Sequence, residues 1–294
     1  MRNAKLLHYL HLHFIVFIWG FTAVLGALIS VEAVPLVWYR MLLASFFILL
    51  FIGYKRKALF ISRKNILKYG LVGALLAMHW LAFFGAIKVS NVSITLAMMS
   101  TGSFFGSLLE PLFFRRKIIA YEVIFGLVVI AGLYIIFKVE GQYYSGILLA
   151  LLSAFLGALF SVFNGKLIQK DNASVISFYE LLSGMLCITV YLFINGSFDD
   201  SFFKLSANDW ILILVLASVC TAYAYVASLH VMNWISPYTL MLTTNMEPVY
   251  GIILALIILG DNEYMSPQFY FGAGIILLTV IVNGVIKTQK KIKN

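Results

Sequence analysis

Residues 145–166 read SGILLALLSAFLGALFSVFNGK, and this stretch decides the fold. From Ser145 to Gly165 it carries no charged side chain. A helix of about 20 such residues spans the roughly 30 Å hydrocarbon core of a bilayer. Nine more stretches of the same kind flank it, near 11–30, 35–54, 67–88, 93–114, 118–137, 173–194, 210–232, 238–259 and 267–286. Ten spans with short connectors predict an all-α membrane protein packed as one bundle, because a helix satisfies its own backbone hydrogen bonds in lipid.

Composition points the same way. Hydrophobic residues make up 62% of the 294, and charged residues 11%. A soluble domain has roughly 45–50% and about 25%. The excess apolar surface must face lipid. The net charge of +9 does not point to nucleic acid: the basic residues sit in short clusters between apolar runs, with no Gly-rich phosphate loop and no basic stripe interleaved with aromatics. Cys187 and Cys220 both lie in apolar segments, so neither a disulfide nor a metal site is expected. Arg2 and Lys5 ahead of an apolar run resemble a signal peptide. The length of that run and its counterpart in the second half favour a retained first helix instead.

Basic residues in short loops resist translocation and so set orientation. With the N-terminus in the cytoplasm, the inside set is Arg2, Lys5, residues 55–57, Arg63, Lys64, Lys68, residues 115–117, Lys166, Lys170, Lys287, Lys290, Lys291 and Lys293. Only Lys138 and Lys204 fall in outside loops, whereas Glu32, Glu140, Asp199, Asp200, Asp209, Asp261 and Glu263 all do. A multi-pass protein of the inner (plasma) membrane with both termini cytoplasmic is expected.

The chain also repeats itself. VSITLAMMST at 92–101 matches ISPYTLMLTT at 235–244, and Trp80 meets Tyr223 at the same offset. Tyr39-Arg40 meets Tyr179-Glu180, and Gly126 meets Gly272, at offsets only a few residues different. Two five-helix halves, 1–140 and 141–294, are therefore expected. Five is odd, so the second half enters the membrane from the other side, and the pair forms an inverted repeat of the kind secondary transporters use.

Trp19-Gly20, Tyr39-Arg40, Phe178-Tyr179, Glu247-Pro248 and Leu259-Gly260-Asp261-Asn262-Glu263, with Gly272 following, make the chain resemble the ten-helix EamA-type drug/metabolite transporters over essentially its whole length. The first half departs from that pattern, with Lys117 where an acid is usual and Glu110-Pro111 in the fourth span. The resemblance implies movement of small metabolites, amino acids or drugs through a central cavity, without a cofactor.

Polar groups inside the membrane need an explanation, since a charge near a helix centre costs about 2.5–3.5 kcal/mol on insertion scales. Glu247 lies about nine residues into the ninth span, roughly 14 Å deep. It reads either as a cavity carboxylate that binds substrate or a proton, or as a neutral acid steadying the Pro248 kink. Thr239, Thr243, Glu247 and Tyr250 share a face by spacing. His79, beside Trp80, is either part of a proton relay or a neutral packing histidine. Trp80, Phe83, Phe84, Tyr223 and Tyr225 read as an aromatic cavity wall or as plain packing. Arg40, expected toward the outside, and Glu180, toward the inside, are gate or vestibule candidates, or in the case of Arg40 a snorkelling side chain. Glu110 is a third gate or vestibule candidate and shares a face with Ser100, itself a candidate for the substrate site, Ser103 and Ser107, near Arg115 and Arg116; ion pairing at the interface and tight helix packing are the plainer readings. Asn245 and Asn164 complete the candidates. Glu247 has no acidic twin, because its aligned position is Phe104.

These features point to a secondary transporter, in the exporter direction, that moves a small molecule by alternating access. Protons or the membrane potential would drive it. No nucleotide motif, metal set or cofactor is expected, and the chain reads as a monomer or weak homodimer in the bilayer. The alternatives are an integral membrane enzyme on a lipid-linked substrate, disfavoured by scattered acids, and a channel or accessory subunit.

Overall fold

The computed structural model of the chain describes residues 2–114, 120–168, 171–200, 202–235, 240 and 243–293. Arg115–Lys117, Lys170, most of the 235–244 repeat segment with Thr239, and the Glu110 side chain lie outside the described residues. The described residues are helical, with no strand among them. The elements are α1 (Arg2–Leu28), α2 (Ala33–Tyr54), α3 (Arg63–Val89), α4 (Val92–Met99), α5 (Gly102–Phe114), α6 (Ala120–Val139), α7 (Tyr144–Leu167), α8 (Ala173–Ile194), α9 (Ala207–Ala217), α10 (Ala224–Val231), α11 (Met246–Ile258) and α12 (Pro267–Lys293). A π-helical turn, Ser218–Tyr223, joins α9 to α10.

Among the described residues, seven helical stretches are long and apolar enough to cross a membrane. They are α1, α2, α3, the broken pair α4–α5, α7, α8 and the α9–α10 run. Three shorter apolar stretches, in α6, α11 and α12, accompany them. The sequence sets their starts by capping: Ser62, Asn91, Asn172 and Ser206 each accept a bond from a backbone N–H of the first turn, the usual reason these residues open helices. Both α2 and α8 close with the same cap. Lys57 N–H bonds Ile52 O and Arg56 N–H bonds Gly53 O, while Ser197 N–H bonds Leu192 O and Gly196 N–H bonds Phe193 O. The turning residues, Arg56 (φ 49°) and Gly196 (φ 63°), are both left-handed, as this cap requires.

Polar contacts sort the loops onto two ends of the bundle. At one, Asp209 accepts from Ser30, Glu263 from the backbone of Val92 and Ser93, and Glu140 from Ser266. At the other, Lys57 donates to Asn172 and Ser174, Tyr179 to the Leu59 carbonyl, and Tyr69 to Asp171. Trp38, early in α2, donates to Thr189, late in α8, so these neighbours run antiparallel.

Missing side chains let helices meet. A Cβ on Gly73 would stand 2.2 Å from the Glu180 carbonyl oxygen, and one on Gly184 2.6 Å from that of Gly73, so α3 and α8 cross backbone to backbone. Gly20 with Gly251 does the same for α1 and α11, and Gly132 with Gly272 for α6 and α12. Close approach through small residues is the main source of helix association where lipid already solvates apolar faces. Outward-facing Leu10, Phe14, Leu50, Leu71, Ile130 and Ile257 are exposed, as a lipid-facing belt should be.

Candidate functional site

A cavity of about 150 Å³ lies among α1, α2, α3, the α4–α5 break, α7, α10 and the start of α11. Three interruptions of regular helix meet at it. Ser100 and Thr101 separate α4 from α5, and their hydroxyls turn back onto the carbonyls of Ala97 and Met98. The π turn holds Cys220 and Thr221, and Thr221 Oγ1 donates five residues back to Leu216 O at 2.7 Å. Asn245 forms a turn just ahead of α11. π-bulges and broken helices gather at functional sites, because displaced backbone groups there can serve a ligand.

Arg40 reaches into this space from α2. Expected toward the outside of its helix as a gate, vestibule or snorkelling charge, the residue is only 2% exposed and lines the cavity. Its Nε donates to Thr221 Oγ1 at 2.6 Å, and its guanidinium carbon lies 3.9 Å from the centre of the Trp80 ring. Nη1 has no hydrogen-bond partner. A cation held by an aromatic face and one hydroxyl, with donors to spare, is a ready anchor for a planar anion. Glu247 lines the same cavity, within range of the Arg40 charge. Asn245 Nδ2 and Ser103 Oγ, both on cavity-lining residues, are buried without partners as well.

His79 also lines the cavity. The Ser153 carbonyl lies 2.8 Å from its Nδ1 and can only accept, so Nδ1–H is the donor in this contact. Gly157 leaves room for the ring: a Cβ there would stand 3.0 Å from His79 Cε1.

Arg40, His79, Trp80, Asn245 and Glu247 are thus brought together, with Phe83 and Tyr225 beside them. Others are not. Tyr223 is half exposed and hydrogen-bonded to His11 at 2.9 Å. Tyr250 packs edge-on to Phe17, and Thr244 rather than Thr243 reaches the cavity. Ser100 bonds its own helix. Glu180 is fully buried behind the wall, bonded by Tyr225 and Asn164. Sequence reading missed Thr22, Cys220 and Thr221; the hydroxyls at 22 and 221 in apolar spans were the available signal. Outside the spans, burial lowers the pKa of Lys57, and the nearby Lys55 charge adds to the effect.

The cavity lining runs toward one end of the bundle. Ser161 in α7 and Met232 after α10 belong to it, and both helices finish at the Lys57 end. None of the lining comes from the first turns of α7 or α9, at the opposite end, where Asp209 and Glu263 tie loops to helices.

Comparison with known proteins accords with this arrangement. The chain matches the EamA-like transporter family over residues 7–138 and again over 144–285. It is similar to "Uncharacterized transporter YxxF" of Bacillus subtilis (strain 168), 22% identical over 223 residues, which covers 74% of this chain and 68% of that protein. A solved protein crystal structure shares the fold with a TM-score of 0.70 at 13% identity, over 95% of this chain and 98% of its own. With both halves matched, this multi-pass membrane protein belongs to the EamA-like transporter family.

Proposed function

We propose that the chain is a secondary transporter that exports a small organic solute bearing an anionic group, by alternating access and at the expense of a proton gradient or the membrane potential. The observation that carries this reading is the cavity holding Arg40 Nη1 without a partner, together with the Glu247 carboxylate. A buried cation with spare donors costs desolvation energy that a ligand can repay. An anion on Arg40 and a cationic or donor group on Glu247 would satisfy both.

Ten spans arranged as two inverted halves, 1–140 and 141–294, belong to the same proposal. Its supports are the double family match, the antiparallel packing of α2 on α8, and their identical caps, 140 residues apart, at Arg56 and Gly196. If the Lys57 end is cytoplasmic, as its basic loops favour, the cavity lining lies toward the cytoplasm, and the ties of Asp209 and Glu263 hold the other end together. An exporter would load its solute in such a state.

The test is a thermal-shift screen of small carboxylates, phosphates and zwitterions on the purified full chain, followed by counterflow of the best ligand in proteoliposomes. Saturable exchange that is lost in Arg40→Lys supports the reading. Ion conductance without saturation would make the protein a channel instead, and turnover of a lipid-linked substrate would make it an enzyme.

A further inference from the structure

Glu180 takes no part in the cavity lining, yet its side chain is fully buried in α8. Oε2 accepts from the Tyr225 hydroxyl and from Asn164 Nδ2 at 3.4 Å, while Oε1 has no partner. Both bonded partners are neutral. Two neutral donors leave much of a carboxylate's lost hydration unmet, and one proton would meet it.

Two more buried oxygens without partners sit beside it: Asn164 Oδ1, on the residue that bonds Glu180, and Ser177 Oγ, three residues earlier on α8. The file continues at three-residue steps. Ser174 is bonded by Lys57, and Asp171 is bonded by Tyr69 and Asn65 at the Lys57 end. Residues three apart neighbour one another on a helix, so Ser174, Ser177 and Glu180 share a face of α8, and Asp171 lies just ahead of its N-cap, Asn172, at the Lys57 end. On the other flank, Tyr225 bonds Glu180 through its hydroxyl while it lines the cavity.

We propose that Glu180 is the proton-binding site that couples transport to the proton gradient, filled from the cytoplasmic end along Asp171, Ser174 and Ser177 and linked to the cavity through Tyr225. The proposal rests on the transporter reading above. The proton arrives on Oε1, the oxygen without a partner, and it leaves to water by the same file or across the cavity. Tyr225 donates to a carboxylate in one state and to a neutral acid in the other, so its hold on the cavity wall differs between them.

Among the described residues, the other titratable and charged groups on the elements packed around α8 include the following. Tyr225 comes from α10, and Tyr69 of α3 is within range of its charge. Arg40 of α2 and His79 of α3 line the cavity, and His230 of α10 lies edge-on to Trp234. Lys57 and Asp171 mark the entrance.

Infrared difference spectroscopy of the full chain in lipid, recorded as bulk pH is stepped, tests this without needing the solute. A protonated-carboxyl carbonyl band that disappears on raising pH is expected in the wild type. It should be absent in Glu180→Gln, retained in Glu247→Gln, and shifted in frequency in Tyr225→Phe. A band that survives in Glu180→Gln, or the lack of any such band in the wild type, overturns the proposal. Should Glu180→Gln fail to fold, Tyr225→Phe decides, and an unshifted band there is fatal. Solute binding by thermal shift separates the two ideas: Glu180→Gln keeps it if only the coupling role is lost, whereas its loss in the wild type removes the transporter reading itself.

Discussion

The Arg40 guanidinium rests on the Trp80 indole, 3.9 Å from the ring centre, while its Nε is held by Thr221 of the π turn. One side chain thereby ties α2, α3 and the α9–α10 run together at the cavity. Its position is fixed by a cation–π contact and a directed bond from Nε, a pairing that a lysine cannot reproduce.

Arg40→Lys keeps the charge but loses the directed Nε bond and the fork of donors. We expect ligand affinity to fall about ten- to a hundred-fold, the equivalent of one charged hydrogen bond of roughly 1.5–3 kcal/mol. Ligand-induced thermal stabilisation of wild type and variant measures it; equal shifts would remove Arg40 from the binding role.

Gly73→Ala should be among the most damaging small substitutions in the chain. The new methyl group would meet the Glu180 carbonyl oxygen at 2.2 Å, a backbone atom that cannot rotate away. Overpacking of this kind costs about 1–3 kcal/mol or more. Gly53→Ala, where a Cβ meets nothing within 4 Å, is the matched control. Similar melting temperatures for the two would contradict the close α3–α8 crossing.

Cys220 lines the cavity and Cys187 is exposed on α8, and both are free thiols. In a Cys187→Ser background, a small membrane-impermeant thiol reagent should modify Cys220 from the cytoplasmic face and leave it untouched from outside. The opposite sidedness would reverse the assigned orientation.

Asp209 accepts from Ser30 N–H and Oγ–H, each at 2.7 Å, and from Ser206 Oγ–H at 2.6 Å. Asp209→Asn turns one accepting oxygen into a donor and weakens this tie. A loss of about 1–3 kcal/mol is expected where a buried polar group is left unmatched. If the tie also shuts that end, Cys220 should become reactive from outside in this variant. Unchanged outside reactivity would mean that the seal lies elsewhere, for example at Glu263.

Some of the site was legible in the residues. Glu247, His79 and Asn245 stood out because polar groups are rare in such apolar spans, and rarity needs no geometry to see. Tyr223 and Tyr250 stood out on the same grounds, yet one turns to His11 and the other packs on Phe17. In helices that are apolar on nearly every side, spacing says which residues share a face but not which face turns inward. The π turn was invisible for a related reason: nothing in Ser218–Tyr223 marks an extra residue in the turn until Thr221 is seen bonding Leu216.

The sequence alone determined that the chain lives in a membrane, where its apolar stretches lie, where several helices begin, and which family it resembles. Those properties depend on local composition, capping chemistry and short motifs. Only the tertiary structure decided that Arg40 turns inward onto Trp80 and that Glu180 meets Tyr225 and Asn164 behind the cavity wall. The physical reason is that lipid solvates apolar faces as well as a protein core does. Helix rotation is then set by glycine contacts and buried hydrogen bonds between residues far apart in the chain.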